Sequence, residues 1–121
     1  MTADDLKDLA VKALDDLKAV DIKVLDVRGA TAITDVMVIA SGTSDRHVRA
    51  LARAVLGAAR DAGVKPLGVE GEQGGEWILL DLNDIVVHLM LPRMREFYNL
   101  EKLWSVDIHA QPRDALSGGV H

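Results

Sequence analysis

The sequence predicts an α/β fold: a single-domain sandwich in which a mixed sheet of about five strands is flanked by helices. Two stretches with apolar residues at helical spacing alternate with short apolar runs that are bounded by turn residues. Two of these runs, Trp77–Asp81 and residues 85–91, are separated by Leu-Asn-Asp and have the form of a β-hairpin. The length of 121 residues fits one domain.

The first third of the chain predicts one helix and two strands. Thr2 is the predicted N-cap of a helix whose apolar stripe extends from Leu6 to Leu17 and which ends near Val20. Strands follow at residues 22–27 and 35–40, with a turn region containing Gly29 between them. The second strand is uniformly apolar, which is typical of a buried central strand.

The middle of the chain predicts a long helix and a short strand. Thr43 or Ser44 is the predicted N-cap of this helix, and Gly63 is its predicted C-terminal stop. Pro66 indicates that residues 64–69 form a short strand at the edge or entry of the sheet, since proline lacks a backbone donor.

The segment after the hairpin predicts a third helix and a tail. Pro92 is expected to end the hairpin, and residues 94–103 to form a short helix. We therefore expect one domain over residues 1–104. The proline and glycines within residues 105–121 predict a flexible C-terminal tail.

Composition restricts the function. With no cysteine, the chain has no disulfide, thiolate zinc site or cysteine nucleophile. No run approaches the ~20 apolar residues that span a bilayer, and the Asp-rich start resembles neither a secretory nor a transit peptide. We expect a soluble cytoplasmic protein. The net charge of -5 disfavours direct, sequence-specific nucleic-acid binding despite one local basic cluster, and it favours a basic protein as partner. That cluster comprises Arg46, His47, Arg49 and Arg53.

Three features of the sequence are candidate chemical sites. The Ser-Gly-Thr-Ser turn at 41–44 precedes a helix but lacks the Gly-Lys-Ser/Thr of a P-loop, so we interpret it as structural. Glu70 and Glu72 are two residues apart, which in an extended segment places both carboxylates on one face. No partner at a suitable spacing supports a metal site or an acid–base pair, so the pair is either a contact for a basic partner or part of a solvated loop. His88 has no partner at metal-ligand spacing and is interpreted as a hydrogen-bonded structural residue or a contact residue. No catalytic residue, metal or cofactor is predicted.

The hairpin carries the predicted interaction surface. Strand alternation places Trp77, Leu79 and Asp81 on one face and Ile78 and Leu80 on the other. Both faces are largely apolar, so one packs on helices while a further helix or a partner covers the second. The acid on the second face indicates that solvent or a partner can reach it. All four aromatic residues lie within residues 77–104, where they are either interface anchors or members of the core. For Phe97, Trp104 and the neighbouring Leu100, a place in the core is favoured.

The order of four motifs resembles that of the ribosomal silencing factors, bacterial relatives of the plant protein Iojap. The hairpin is followed by Arg-x-Phe-Tyr-x-Leu-Glu-x-Leu-Trp at 95–104. Upstream lie Asp-Val-Met-Val-Ile-Ala-Ser-Gly-Thr-Ser at 35–44 and Lys-Pro-Leu-Gly-Val-Glu-Gly-Glu-Gln at 65–73. The resemblance covers roughly residues 6–104.

The resemblance implies a nucleotidyltransferase-like topology and a non-enzymatic translation repressor. Its implied partner is a basic protein of the large ribosomal subunit, the fourteenth of the large-subunit series. Bound there, the family blocks joining of the small and large subunits under nutrient limitation, and a role in subunit maturation is also attributed to relatives. The residues expected at the contact are Glu70, Glu72, Trp77, Leu79, Asp81, Leu82, Asn83, His88, Arg95 and Tyr98.

The sequence is also compatible with two other functions. A reduced nucleotidyltransferase-like enzyme would require an acidic pair on a strand after the Gly-Ser turn, where the hairpin strands supply only Asp81. A self-associating module involved in ribosome assembly would bury the second hairpin face in a homodimer.

Overall fold

The computed structural model describes residues 1–29, 32 and 34–98, with side chains given as far as Arg95. The predicted tail and the end of the third predicted helix, with Leu100 and Trp104, lie outside the described residues. The elements in chain order are α1 (Ala3–Asp16), β1 (Val20–Asp26), β2 (Val36–Ser41), α2 (Asp45–Asp61), β3 (Gly68–Glu70), β4 (Trp77–Asp81), β5 (Ile85–Met90) and α3 (Pro92–Tyr98).

The five strands form one mixed sheet in the order β1-β2-β5-β4-β3. β2 and β5 pair in parallel at its centre, whereas the other three pairings are antiparallel. All six residues of β2 are buried, which confirms the prediction of a central strand. The predicted class, an α/β fold with a mixed five-stranded sheet flanked by helices, is confirmed.

One face of the sheet, here called the helix face, packs against α1 and α2. Alternate residues of β2, β4 and β5 meet the apolar stripes of both helices in the main core. Its fully buried members include Leu14, Leu51, Val38, Ile78 and Leu80.

The opposite face, here called the second face, has a smaller core. Val27, Met37, Ile39 and Met90 are buried together there, with Trp77 packed partly against them. Met94 of α3 contacts both cores, so α3 lies at the end of the sheet where they meet. Toward β4 and β3 the same face is only half-buried.

The helix boundaries follow capping chemistry. Thr2 is the N-cap of α1 and forms a capping box with Asp5, which confirms the predicted start. The predicted end near Val20 is wrong, because Lys18 adopts a left-handed φ of 61° and the chain turns into β1. Ser44, rather than Thr43, caps α2.

Two proline positions explain further differences. The predicted strand at 64–69 is reduced to Gly68–Glu70, since Pro66 cannot donate to a ladder. Pro92 does more than end the hairpin, because it is the first residue of α3, where a missing N–H costs nothing.

Candidate functional site

The half-buried part of the second face forms the candidate site. In β4, Ile78 and Leu80 are fully buried on the helix face, whereas Trp77, Leu79 and Asp81 are half-buried on the second face. This confirms the predicted alternation along the strand.

Strand pairing defines the rest of this surface. Leu79 pairs with Glu70 on one side and His88 on the other, and Asp81 pairs with Val86. We call this set the β4 surface; its members are Glu70, Trp77, Leu79, Asp81, Val86 and His88. Val86 was absent from the sequence-predicted set, although it lies two residues from His88 and alternation alone would have included it.

Trp77 and His88 are joined across the two strands. The indole Nε1–H donates to Nδ1 of His88 over 3.1 Å, with the ring centroids 5.9 Å apart. Because Nδ1 accepts this bond, the neutral imidazole carries its proton on Nε2. His88 is only 8% exposed, and burial lowers its pKa to about 4, so it is neutral at pH 7. It therefore positions Trp77 from within the sheet.

The two glutamates do not lie in one extended segment. β3 ends at Glu70, and Gly71 turns the chain with a left-handed φ of 86°. A Cβ on Gly71 would collide with the carbonyl oxygen of Trp77, so only glycine fits this close approach. The expectation that Glu70 and Glu72 project from one face is thus wrong, because the turn separates them. Both remain exposed beside the start of β4.

Three of the predicted contact residues, Asp81, Leu82 and Asn83, have structural roles in or beside the hairpin turn. Asn83 adopts a left-handed φ of 73°, and its backbone N–H donates to Oδ1 of Asp81 over 2.9 Å. Asn83 is exposed at the tip, whereas Leu82 is 2% exposed and belongs to the main core. Leu82 is therefore not accessible to a partner in this conformation.

The last two predicted contact residues lie in α3. Arg95 is buried, and its Nη1 donates to Oγ of Ser41 over 3.2 Å while Nη2 lies 3.8 Å from Asp21 Oδ2. Arg95 thus fastens α3 to the ends of β2 and β1. Tyr98 is the last residue of α3, and its side chain, like that of Phe97, lies outside the described part.

The Ser-Gly-Thr-Ser turn lines a polar cleft of about 420 Å³ at the start of α2. Two amides of the turn are already used, since Gly42 N–H donates to the Met90 carbonyl and Thr43 N–H donates to His47 Nδ1. In the first turn of α2, His47 N–H donates to Ser44 Oγ. A Cβ on Gly42 would lie 2.8 Å from the backbone N of Val48, so this glycine allows the strand and helix to approach closely. These contacts agree with a structural role for the turn.

Within the described residues, no group of three or more acidic, histidine or cysteine side chains is placed to hold a metal ion. No helix in this part of the chain is long and apolar enough to cross a membrane.

A sheet face that presents an aromatic ring, aliphatic side chains and carboxylates has the form of a protein-docking surface. Comparison with known proteins specifies the class further. The family model described as "Ribosomal silencing factor during starvation" matches residues 1–118. The chain belongs to the ribosomal silencing factor family, as its motifs predicted.

Its relatives agree in sequence and in fold. The ribosomal silencing factor of Chromobacterium violaceum is 43% identical over 104 residues, which cover 86% of this chain and 85% of that protein. A crystal structure of a protein from Chromobacterium violaceum has a TM-score of 0.85 at 40% identity and covers 93% of this chain and 98% of that one. A mouse relative named "Mitochondrial assembly of ribosomal large subunit protein 1" is 39% identical over 105 residues, 82% of this chain and 45% of that protein.

Proposed function

We propose that this protein is a non-enzymatic translation repressor that binds the large ribosomal subunit in the cytoplasm. Its contact is a basic ribosomal protein, the fourteenth of the large-subunit series, and the bound molecule sterically prevents the small subunit from joining under nutrient limitation. Family membership supports the class, and the name of the mouse relative, which refers to large-subunit assembly, supports the choice of subunit.

The observation that carries this proposal is the half-buried state of Trp77 and Leu79 on the β4 surface. An aromatic anchor held in one orientation by His88 loses little conformational entropy when a partner packs on it. A partner that covers this surface removes the remaining apolar area from water, the main source of affinity at hot spots.

The charge of the surface favours a basic partner. Glu70 of β3 lies beside Leu79, Asp81 lies at the end of β4, and Glu72 lies in the turn that follows β3. Carboxylates around an apolar centre steer a positively charged protein toward it and disfavour RNA at this face. The same surface is where two copies would pair in the absence of the ribosome.

Steric repression needs no chemistry beyond a stable contact. Of the described hairpin-strand residues, Asp81 is the one carboxylate, and its Oδ1 already accepts from the hairpin turn. Phosphoryl transfer needs two or more oxygen ligands that converge on a metal ion. We therefore assign no catalytic role to the sheet.

The test is binding to the isolated ribosomal protein, measured by calorimetry with wild type and Glu70→Lys/Asp81→Lys. The variant is expected to bind more weakly, with the difference shrinking as salt rises. A matched control, Asp15→Lys/Asp16→Lys on α1, makes the same change of charge away from the β4 surface and should leave affinity nearly unchanged. Equal losses in both variants, or binding to naked ribosomal RNA but not to the protein, would contradict the proposal.

A further inference from the structure

The outer side of α2 is basic although the protein as a whole is acidic. α2 contains four arginines and two aspartates, whereas α1 beside it contains five aspartates and two lysines. Positive charge is therefore concentrated on one of the two helices that cover the helix face.

Three of these arginines form a row. Arg46, Arg53 and Arg60 are seven residues apart, so they lie within about 40° of one another around the helix and span about 21 Å along it. They are exposed on the side away from the buried Val48 and Val55.

The guanidinium groups of this row make no intramolecular polar contact in the described part of the chain. None of the three forms an ion pair or a side-chain hydrogen bond with another described residue. Arg49, the fourth arginine of α2, instead pairs with Asp45 at 3.1 Å. The row is thus a line of positive charge without an ion-pair partner among the described residues. Arg60, in the last turn of α2, also complements the helix dipole, whereas Arg46 and Arg53 have no such role.

A glycine within the row is also unexplained by the fold. Gly57 lies in the interior of α2, where glycine is less favourable than alanine. A Cβ at this position would meet only Nη2 of Arg60, at an ordinary contact distance of 3.8 Å. Packing among the described residues therefore leaves room for a side chain. Ala50 and Ala54 lie next to Gly57 on the same side of α2, so only short side chains lie between the guanidinium groups.

We propose that this α2 arginine face, defined as Arg46, Arg53, Arg60 and the low surface at Gly57, binds the sugar-phosphate backbone of RNA. Guanidinium groups bind phosphate through two parallel hydrogen bonds, and a line of them matches a polyanion that carries charge at regular intervals. The missing side chain at Gly57 lets the backbone approach the helix closely. Such binding reads no base sequence.

This face lies on the helix side of the sheet, opposite the β4 surface, so both can be occupied at once. A ribosome offers RNA close to any docked protein, and a phosphate contact fixes orientation without adding sequence specificity. The net charge of -5 is an average over a molecule whose charges are segregated, so it does not exclude RNA binding at one basic face.

The test is fluorescence anisotropy of a labelled RNA hairpin without ribosomes, over about 50 to 200 mM salt. Arg46→Gln/Arg53→Gln/Arg60→Gln should weaken binding about tenfold at low salt and reduce the slope of log affinity against log salt by about 2. The control Lys12→Gln/Lys23→Gln/Lys65→Gln removes the same charge elsewhere and should change both values far less. Equal effects of the two triple variants would overturn the proposal, because net charge alone would then govern binding.

A second pair of variants applies even if the triple variant fails to fold. Gly57→Glu should weaken RNA binding severalfold while the helix content, followed by circular dichroism, is retained. Gly57→Ala should retain both. Unchanged RNA affinity in Gly57→Glu, or a preference of wild type for a polyglutamate peptide over RNA, would contradict an RNA site, the latter indicating an acidic protein partner. Because ribosomes are absent, these results are independent of the proposed docking through the β4 surface.

Discussion

Acidification should destabilise the protein through His88. In the folded state burial lowers the pKa of His88 from 6.5 to about 4, so the unfolded chain binds this proton at a higher pH. The free energy of unfolding is not reduced by His88 above pH 6.5, and it falls as the pH decreases from 6.5 to 4. Linkage gives a loss of about 2 kcal/mol between pH 7.5 and 5, and about 3 kcal/mol by pH 4. That is a large fraction of the ~5–15 kcal/mol of a typical domain.

The matched variant is His88→Asn, which does not titrate in this range and whose amide oxygen lies where Nδ1 accepts from Trp77. Urea unfolding at pH 7.5 and pH 5 gives the free energy of unfolding for both proteins. The wild type should lose about 2 kcal/mol more than the variant, since contributions of the other titrating groups cancel in the difference. Identical losses in the two proteins would refute the reasoning, because His88 would then titrate normally when folded.

Three further substitutions test the packing by urea unfolding. Gly42→Ala should destabilise by ~1–3 kcal/mol, because its Cβ would lie 2.8 Å from Val48 backbone N; an unchanged midpoint would show that strand and helix can separate freely. Gly57→Ala should stabilise by up to ~1 kcal/mol, because its Cβ meets no close contact in α2; destabilisation would reveal an internal packing role. Leu80→Ala should cost ~2–5 kcal/mol, since Leu80 is fully buried in the main core; a loss below 1 kcal/mol would place it on an exposed face.

The elements that the sequence predicted well are those in which local chemistry and tertiary packing agree. Trp77–Asp81 was predicted with its exact bounds, because strand alternation and the flanking turn residues coincide there. Ser44 and Gly63 bound α2 through ordinary capping and a left-handed stop. The role of Pro92 was only partly predicted, because this residue ends a strand and also begins a helix.

The candidate site was harder to predict because exposure depends on cross-strand neighbours. Alternation placed Trp77 and Leu79 together, but only the pairing of β4 with β5 joins Trp77 to His88 and adds Val86. Arginine is a residue type that is common at interfaces, yet Arg95 is buried against Ser41, which lies 54 positions away in sequence. Sequence spacing carries no information about such a distant partner.

We propose that the β4 surface docks the protein on the large subunit, and the variant Trp77→Ala is designed to remove that contact. The measurement pairs thermal melting of the variant with light scattering of small and large subunits mixed in its presence. Loss of a hot-spot aromatic costs ~2 kcal/mol or more of affinity, about thirtyfold in Kd. We expect a folded variant that no longer prevents subunit joining at concentrations where wild type does. A variant that melts far lower, while its folded fraction still blocks joining as wild type does, would make Trp77 a core residue and contradict the account.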